Sequence, residues 1–119
     1  MSHRCFIKSQ PISTITTLPD LGMDKKEIAG DFKRYYGHRL GRDENCRSLH
    51  YAYEALSMVI SDRLTEQAKK TYNVYKKQDC KRAYYLSMEF LMGRTLSNAM
   101  LNLGVNDAVS QAMYDLGLD

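Results

Sequence analysis

The sequence predicts an α/β fold, mostly helical with one central strand. Three stretches carry that expectation: a long amphipathic run over residues 48–77, an unbroken apolar run at Ala83–Leu86, and two short helix patterns closed by Gly104 and Gly117. An apolar run with no wet side reads as a strand covered on both faces, the pattern of a parallel central strand. Such a strand needs neighbours for its backbone N–H and C=O groups. No second convincing strand occurs in the 119 residues. The expectation is therefore the opening of a larger α/β domain, with residues 1–23 a mobile arm and residues 24–119 an incomplete part of the domain.

Each element has its own justification. In the arm, "PISTITT" is rich in β-branched residues, but Pro11 and Pro19 bracket it and nothing beside it offers a partner. From Asp24 to Tyr36, Ile28, Phe32, Tyr35 and Tyr36 recur at helical steps. "GHRLGRDEN" interrupts any period with Gly37, Gly41 and Asn45 and reads as a loop. Leu49, Ala52, Tyr53, Leu56, Val59, Ile60, Leu64, Ala68, Tyr72 and Tyr75 then form one apolar stripe, with Ser48 placed as N-cap and Lys76 and Lys77 at the end that favours positive charge. That spacing turns Tyr72 and Tyr75 inward. After the strand, Thr95 is placed to cap a helix with Leu96, Ala99, Met100 and Leu103 inside. Asn106 is placed to cap another, with Ala108, Val109, Ala112, Met113 and Leu116 inside.

Composition bounds the function. With 44% apolar and 26% charged residues the chain is an ordinary globular one, and a formal charge of +3 does not by itself imply a nucleic-acid partner. No apolar run approaches the ~20 residues of a spanning helix, and the first residues lack a secretion-signal core, so no membrane partner and a cytoplasmic location are expected. Cys5, Cys46 and Cys80 are far apart and without metal-ligand spacing, which supports neither a disulfide framework nor a metal site.

"YYLSMEFLMGRTLSNAMLNLG", residues 84–104, closely resembles the N-terminal region of the α-1,4-glucan phosphorylases, the glycogen, starch and maltodextrin phosphorylases. "LGRDEN" followed by "HYAYEAL" resembles the cap loop and the start of the long second helix of that family, so the likeness covers roughly residues 25–119. It implies a two-domain glycosyltransferase fold of GT-B type and the joining of inorganic phosphate to the non-reducing end of an α-1,4-glucan, releasing glucose 1-phosphate. It also implies a homodimer contacting through the cap loop and long helix. Pyridoxal phosphate is implied for the complete enzyme, its lysine and the glycine-rich loop near the sugar both falling outside this chain. The chain alone is expected to be inactive.

Candidate residues follow. Glu89 comes directly after the expected strand, at the edge where open sheets place ligands, and a carboxylate there can accept hydrogen bonds from sugar hydroxyls; the other reading is a turn-fixing pair with Arg94. Gly93 and Arg94 suit phosphate contact in isolation, but the resemblance does not assign them that role. Asp43 and Asn45 match cap-loop positions that approach an effector in nucleotide-regulated members, although both residue types are common turn formers. Cys46 departs from the aliphatic residue usual there. Tyr72, Asn73 and Lys76 stand where animal enzymes carry a glutamine pair and a tyrosine, with Tyr75 one residue out of register, which puts AMP control in doubt. No catalytic residue, cofactor ligand or metal ligand is assigned within the chain.

Two other classes of function fit parts of the sequence. The long helix could dock a partner in a small non-enzymatic module. "KKTYNVYKKQDCKR" could form a basic, aromatic surface for RNA or single-stranded DNA. With Tyr72 and Tyr75 turned inward, only lysines would face water, so a solvated helix face and no nucleic-acid partner are expected.

Overall fold

A computed structural model describes residues 18–43, 45–46 and 48–118. Four α-helices carry it: α1 (Lys25–Arg34), α2 (Leu49–Gln78), α3 (Leu96–Leu103) and α4 (Asn106–Asp115), with a π-helical turn at Tyr35–Arg39 directly after α1. Among the described residues there is no strand, and no helix is long and apolar enough to cross a membrane.

Helix α1 starts from an extended Asp24, whose carbonyl accepts from the Ile28 N–H at 3.0 Å, and buries Ile28 and Phe32. The expected helix continues to Tyr36, but the regular α-helix stops at Arg34. The Leu40 N–H bonds the Tyr35 carbonyl at 2.9 Å, a five-residue step that widens the last turn. Tyr36 is stacked on Phe32 at 5.9 Å. The Tyr35 hydroxyl donates to Asp62 on α2, and the Tyr36 hydroxyl donates to the Cys46 carbonyl. The widened turn thus ties α1 to α2 and to the loop between them.

Helix α2 has 30 residues, about 45 Å of rise. Its buried positions, Ala55, Val59, Ile60 and Arg63, all lie in its first half. There the core closes: Ile28 and Phe32 from α1 meet Ala55, Val59 and Ile60 from α2, and Val105, Val109 and Ala112 from α4 and its entry. Helix α1 packs on both α2 and α4, while α3 packs on α2 and α4. Each fully buried valine or isoleucine contributes roughly 1.5–3 kcal/mol by leaving water. Beyond Arg63 the helix runs out past its neighbours, and Tyr72 and Tyr75 are 56% and 47% exposed. The inward placement read from their spacing is corrected: the stripe continues in sequence after the elements that would cover it have ended.

Three helices end the same way. A residue one or two positions past each enters the left-handed region: Asp79 at φ 47° and Gly104 at φ 69° directly after α2 and α3, and Gly117 at φ 74° one residue beyond Leu116 after α4. The next N–H then closes back over the last turn: Cys80 to the Tyr75 carbonyl, Val105 to Met100, Leu118 to Met113. The starts are less regular. Ser48 and Thr95 occupy the expected N-cap positions but make no side-chain capping bond. For α4 the N-cap is Val105 rather than Asn106, which is instead the first helical residue.

The expected central strand does not form. From Lys81 to Arg94 every residue is exposed, Leu86 by 93%, and the backbone has no ladder partner among the described residues. Strand geometry costs conformational entropy, and without a neighbouring strand no hydrogen bonds offset it. The described part of the chain is accordingly all-helical rather than α/β.

Candidate functional site

Two regions hold the residues singled out from sequence. The first is the loop joining α1 to α2. Asp43 Oδ1 accepts from the Asn45 N–H and Oδ2 from Asn45 Nδ2, both at 3.2 Å, while the Cys46 N–H bonds the Asp43 carbonyl at 3.1 Å. Both Asp43 oxygens are therefore occupied in holding a tight turn, the local role that aspartate performs in such sequences. Beneath the turn lies a cleft of about 510 Å³ bounded by Phe32, Tyr36, Asp43, Cys46, Leu49 and Leu116, among others. Burial, and then the hydrogen bond to Cys46, raise the Tyr36 phenol above its ordinary value, so it stays a neutral donor. The guanidinium of Arg42 lies 3.8 Å from the centre of the Tyr51 ring at the start of α2. This arrangement can bind and shape a surface. It brings no nucleophile into hydrogen bonding with a general base among the described residues.

The second region is the exposed segment after α2. Glu89 lies there in a tight local turn, its N–H bonded to Ser87 Oγ at 3.2 Å and its carbonyl accepting from the same hydroxyl at 2.7 Å. Among the described residues it makes no ion pair with Arg94, and it is at no sheet edge because no sheet is present. Gly93 and Arg94 are exposed, and nothing lies within 4 Å of a Cβ built on Gly93. The structure does not bring Glu89, Gly93 or Arg94 together with Asp43 and Asn45. Among the described residues no group of three or more His, Cys, Asp or Glu could hold a metal ion.

A third cluster escaped the sequence reading. Arg63, fully buried on α2, donates through Nε and Nη2 to the Gly22 carbonyl at 3.0 and 2.7 Å and through Nη1 to the Val59 carbonyl at 3.2 Å; its Nη2 also pairs with Asp31 at 3.0 Å. One turn on, Glu66 accepts from the Leu21 N–H at 3.0 Å and pairs with Lys70 at 2.9 Å, and Lys70 reaches Asp20 at 3.3 Å. The lysine hydrogen bond, followed by the Leu21 N–H, holds the Glu66 carboxyl below the ordinary glutamate range. Together these groups bind the chain at Asp20–Gly22 onto α2. Residues 1–17 of the expected arm lie outside the described residues. The one signal for this cluster was a charged residue at a position where the apolar stripe of Val59 and Ile60 would continue.

Comparison with known proteins finds this chain similar to glycogen phosphorylases. No family model matches the chain. The brain form of Bos taurus is 41% identical over 106 residues, covering 89% of this chain and 12% of that protein. The human brain form is 40% identical over the same length with the same coverage. The human muscle form is 41% identical over 93 residues, 78% of this chain and 11% of its own length. The chain is thus homologous to glycogen phosphorylase along most of its length and spans about 12% of the curated relatives it matches.

Proposed function

We propose that this chain forms the N-terminal part of an α-1,4-glucan phosphorylase, which transfers a glucosyl unit from the non-reducing end of the glucan to inorganic phosphate. The observation that carries the proposal is identity of about 40% spread over 89% of the chain. In this reading residues 24–119 are the start of the catalytic fold of GT-B type, and Ala83–Leu86 is a central strand whose partners come from other residues of the enzyme. Its exposed run supports that role, since Tyr84, Tyr85, Leu86, Met88 and Leu91 together make a large apolar surface that no other described residue covers. Glu89 would then stand at the edge of the substrate cleft. Asp43 and Asn45, in the tight turn before α2, would face the second subunit of a homodimer and any effector held between subunits.

Pyridoxal phosphate, the cofactor implied for the complete enzyme, finds no fit among the described residues. An internal linkage needs a desolvated amine in a pocket that also holds the ring and phosphate. Lys25 is half-buried and paired with Asp115 at 2.9 Å, and the other described lysines are exposed. The cofactor lysine is assigned to the remainder of the enzyme, and the reaction to the cytoplasm.

Two measurements test the reading. The polypeptide from the complete reading frame, supplied with glycogen, phosphate and pyridoxal phosphate, is expected to release glucose 1-phosphate; a folded, cofactor-loaded polypeptide releasing none would overturn it. The 119-residue chain alone is expected to release none and to lose the cofactor on gel filtration. Stoichiometric retention there would overturn the assignment of the lysine elsewhere.

A further inference from the structure

We propose that Tyr36 is a positioning residue for the Asp43–Asn45 turn, holding that turn in one shape ahead of the second copy of the chain that meets it. This rests on the reading of the loop as a subunit face, and adds which side chain shapes the face.

Tyr36 grips the loop at two points. Its backbone carbonyl accepts from the Arg42 N–H at 3.0 Å, and its phenol donates to the Cys46 carbonyl. Arg42 stands immediately before Asp43 and Cys46 immediately after Asn45, so the two bonds bracket the turn. Gly41, at φ 60°, lets the chain reverse and brings both ends back to one residue. The grip has a firm base. The Tyr36 ring is stacked on Phe32, a core side chain only 5% exposed. Tyr35 leaves the helix on another side and donates to Asp62 of α2. One phenol therefore fastens the helical turn to α2 while the next fastens the loop to the helical turn.

The other bonds of the loop do not duplicate this. Asp43 bonds Asn45 and Cys46, which sets the local shape of the turn without fixing it to the helices. Arg42, lying against the Tyr51 ring, steadies the entry. Among the described residues, Cys46 at the exit bonds outside the loop only to the Tyr36 phenol. Asp43 and Asn45 are themselves exposed, so burial does not order them. A turn that is already ordered loses less conformational freedom when a partner binds. The phenol is accordingly expected to register in association more than in the stability of the helices.

Tyr36→Phe tests this, since it removes the hydroxyl and keeps the ring on Phe32. In the 119-residue chain, hydrogen exchange at the Asn45 and Cys46 amides should quicken by roughly twofold to tenfold, the worth of one hydrogen bond, while Val59 and Ile60 in the core of α2 exchange as in the parent. Tyr35→Phe loses the bond to Asp62 and should leave Asn45 and Cys46 as they were. In the polypeptide from the complete reading frame, sedimentation should give a dimer for the parent and a dissociation constant raised by a similar factor for Tyr36→Phe, with Tm nearly unchanged. Unchanged exchange at Asn45 and Cys46 would overturn the proposal. So would faster exchange with an unchanged dissociation constant, or equal quickening in Tyr35→Phe, which would mean a general loosening. A parent that stays monomeric would overturn the subunit reading and the proposed partner with it, and the exchange measurement tells that failure apart from a turn that Tyr36 does not hold.

Discussion

Replacing Arg63 tests how the first residues of the described chain are held. Its side chain is wholly buried, and its polar reach is consumed by the Gly22 carbonyl, the Val59 carbonyl and Asp31. Arg63→Ala removes the cation, leaves the Gly22 carbonyl and one Asp31 oxygen without their partner, and opens a void beside Val59 and Ile60. Removing one member of a buried pair costs about 3–5 kcal/mol, and a domain of ordinary stability has only roughly 5–15 to lose. The variant should therefore unfold at a much lower urea concentration. Arg63→Lys should fall between, because an ammonium keeps the charge and lacks the planar fork that meets Gly22 through two nitrogens. Asp31 also accepts from Arg34 at 3.1 Å, so Asp31→Ala alone mixes two losses. The double variant separates them, with an Arg63–Asp31 coupling expected at about 0.5–3 kcal/mol. Urea denaturation followed by circular dichroism, with slopes compared, is the assay. If Arg63→Ala lay within about 0.5 kcal/mol of the parent, in the range of ordinary surface substitutions, the guanidinium would not be holding the strap.

Three further outcomes follow from the same geometry. Glu66 has its pKa lowered by Lys70 and the Leu21 N–H, so its contribution is present above the ordinary glutamate value of ~4.3 and is lost as pH falls through the lower folded value; hydrogen exchange at Leu21 should speed up over that window, and Glu66→Gln should remove the pH dependence. Gly30 lies inside α1 with nothing within 4 Å of a built Cβ, so Gly30→Ala should stabilise by about 1 kcal/mol in denaturant melts, and a loss would show that α1 packs more tightly there than described. Gly104 has equal space but φ 69°, so Gly104→Ala should cost about 1–2 kcal/mol from backbone conformation alone; a neutral result would mean the turn re-forms without its left-handed residue.

Helix α2 was legible almost to the residue, expected over 48–77 and observed over Leu49–Gln78, because periodicity is a property of the chain itself. The glycine stops at Gly104 and Gly117 were legible for the same local reason. What sequence could not express was which partners exist. Tyr72 and Tyr75 keep the period of the stripe, yet its buried positions all lie in the first half, where α1, the π-helical turn and α3 pack on it. Ala83–Leu86 has the composition of a buried strand, and burial depends on neighbours the described residues do not provide. Arg63 is the converse case. A charged residue on the stripe reads as an interruption until Gly22, forty-one positions earlier, is seen to return its hydrogen bonds. Of the candidate residues, Asp43 and Asn45 were recognisable as turn formers from type and spacing alone. Glu89 was placed by inference from a strand that does not form here.

The pairing of α1 with α4 has a consequence for the order of events in folding. The α3–α4 hairpin closes over a single short turn at Gly104 and Val105, and contacts that local form on the microsecond scale. Ile28 and Phe32 must instead wait for Val109 and Ala112, at the far end of the sequence, and the search for so distant a partner lengthens the climb to the transition state. During synthesis, at about 5–20 residues per second, the part of the first helix that meets α4 therefore stays uncovered for several seconds after α2 has emerged. A nascent chain halted before Asn106 should be cut by protease within α1, and one extended past Leu118 should resist cleavage there.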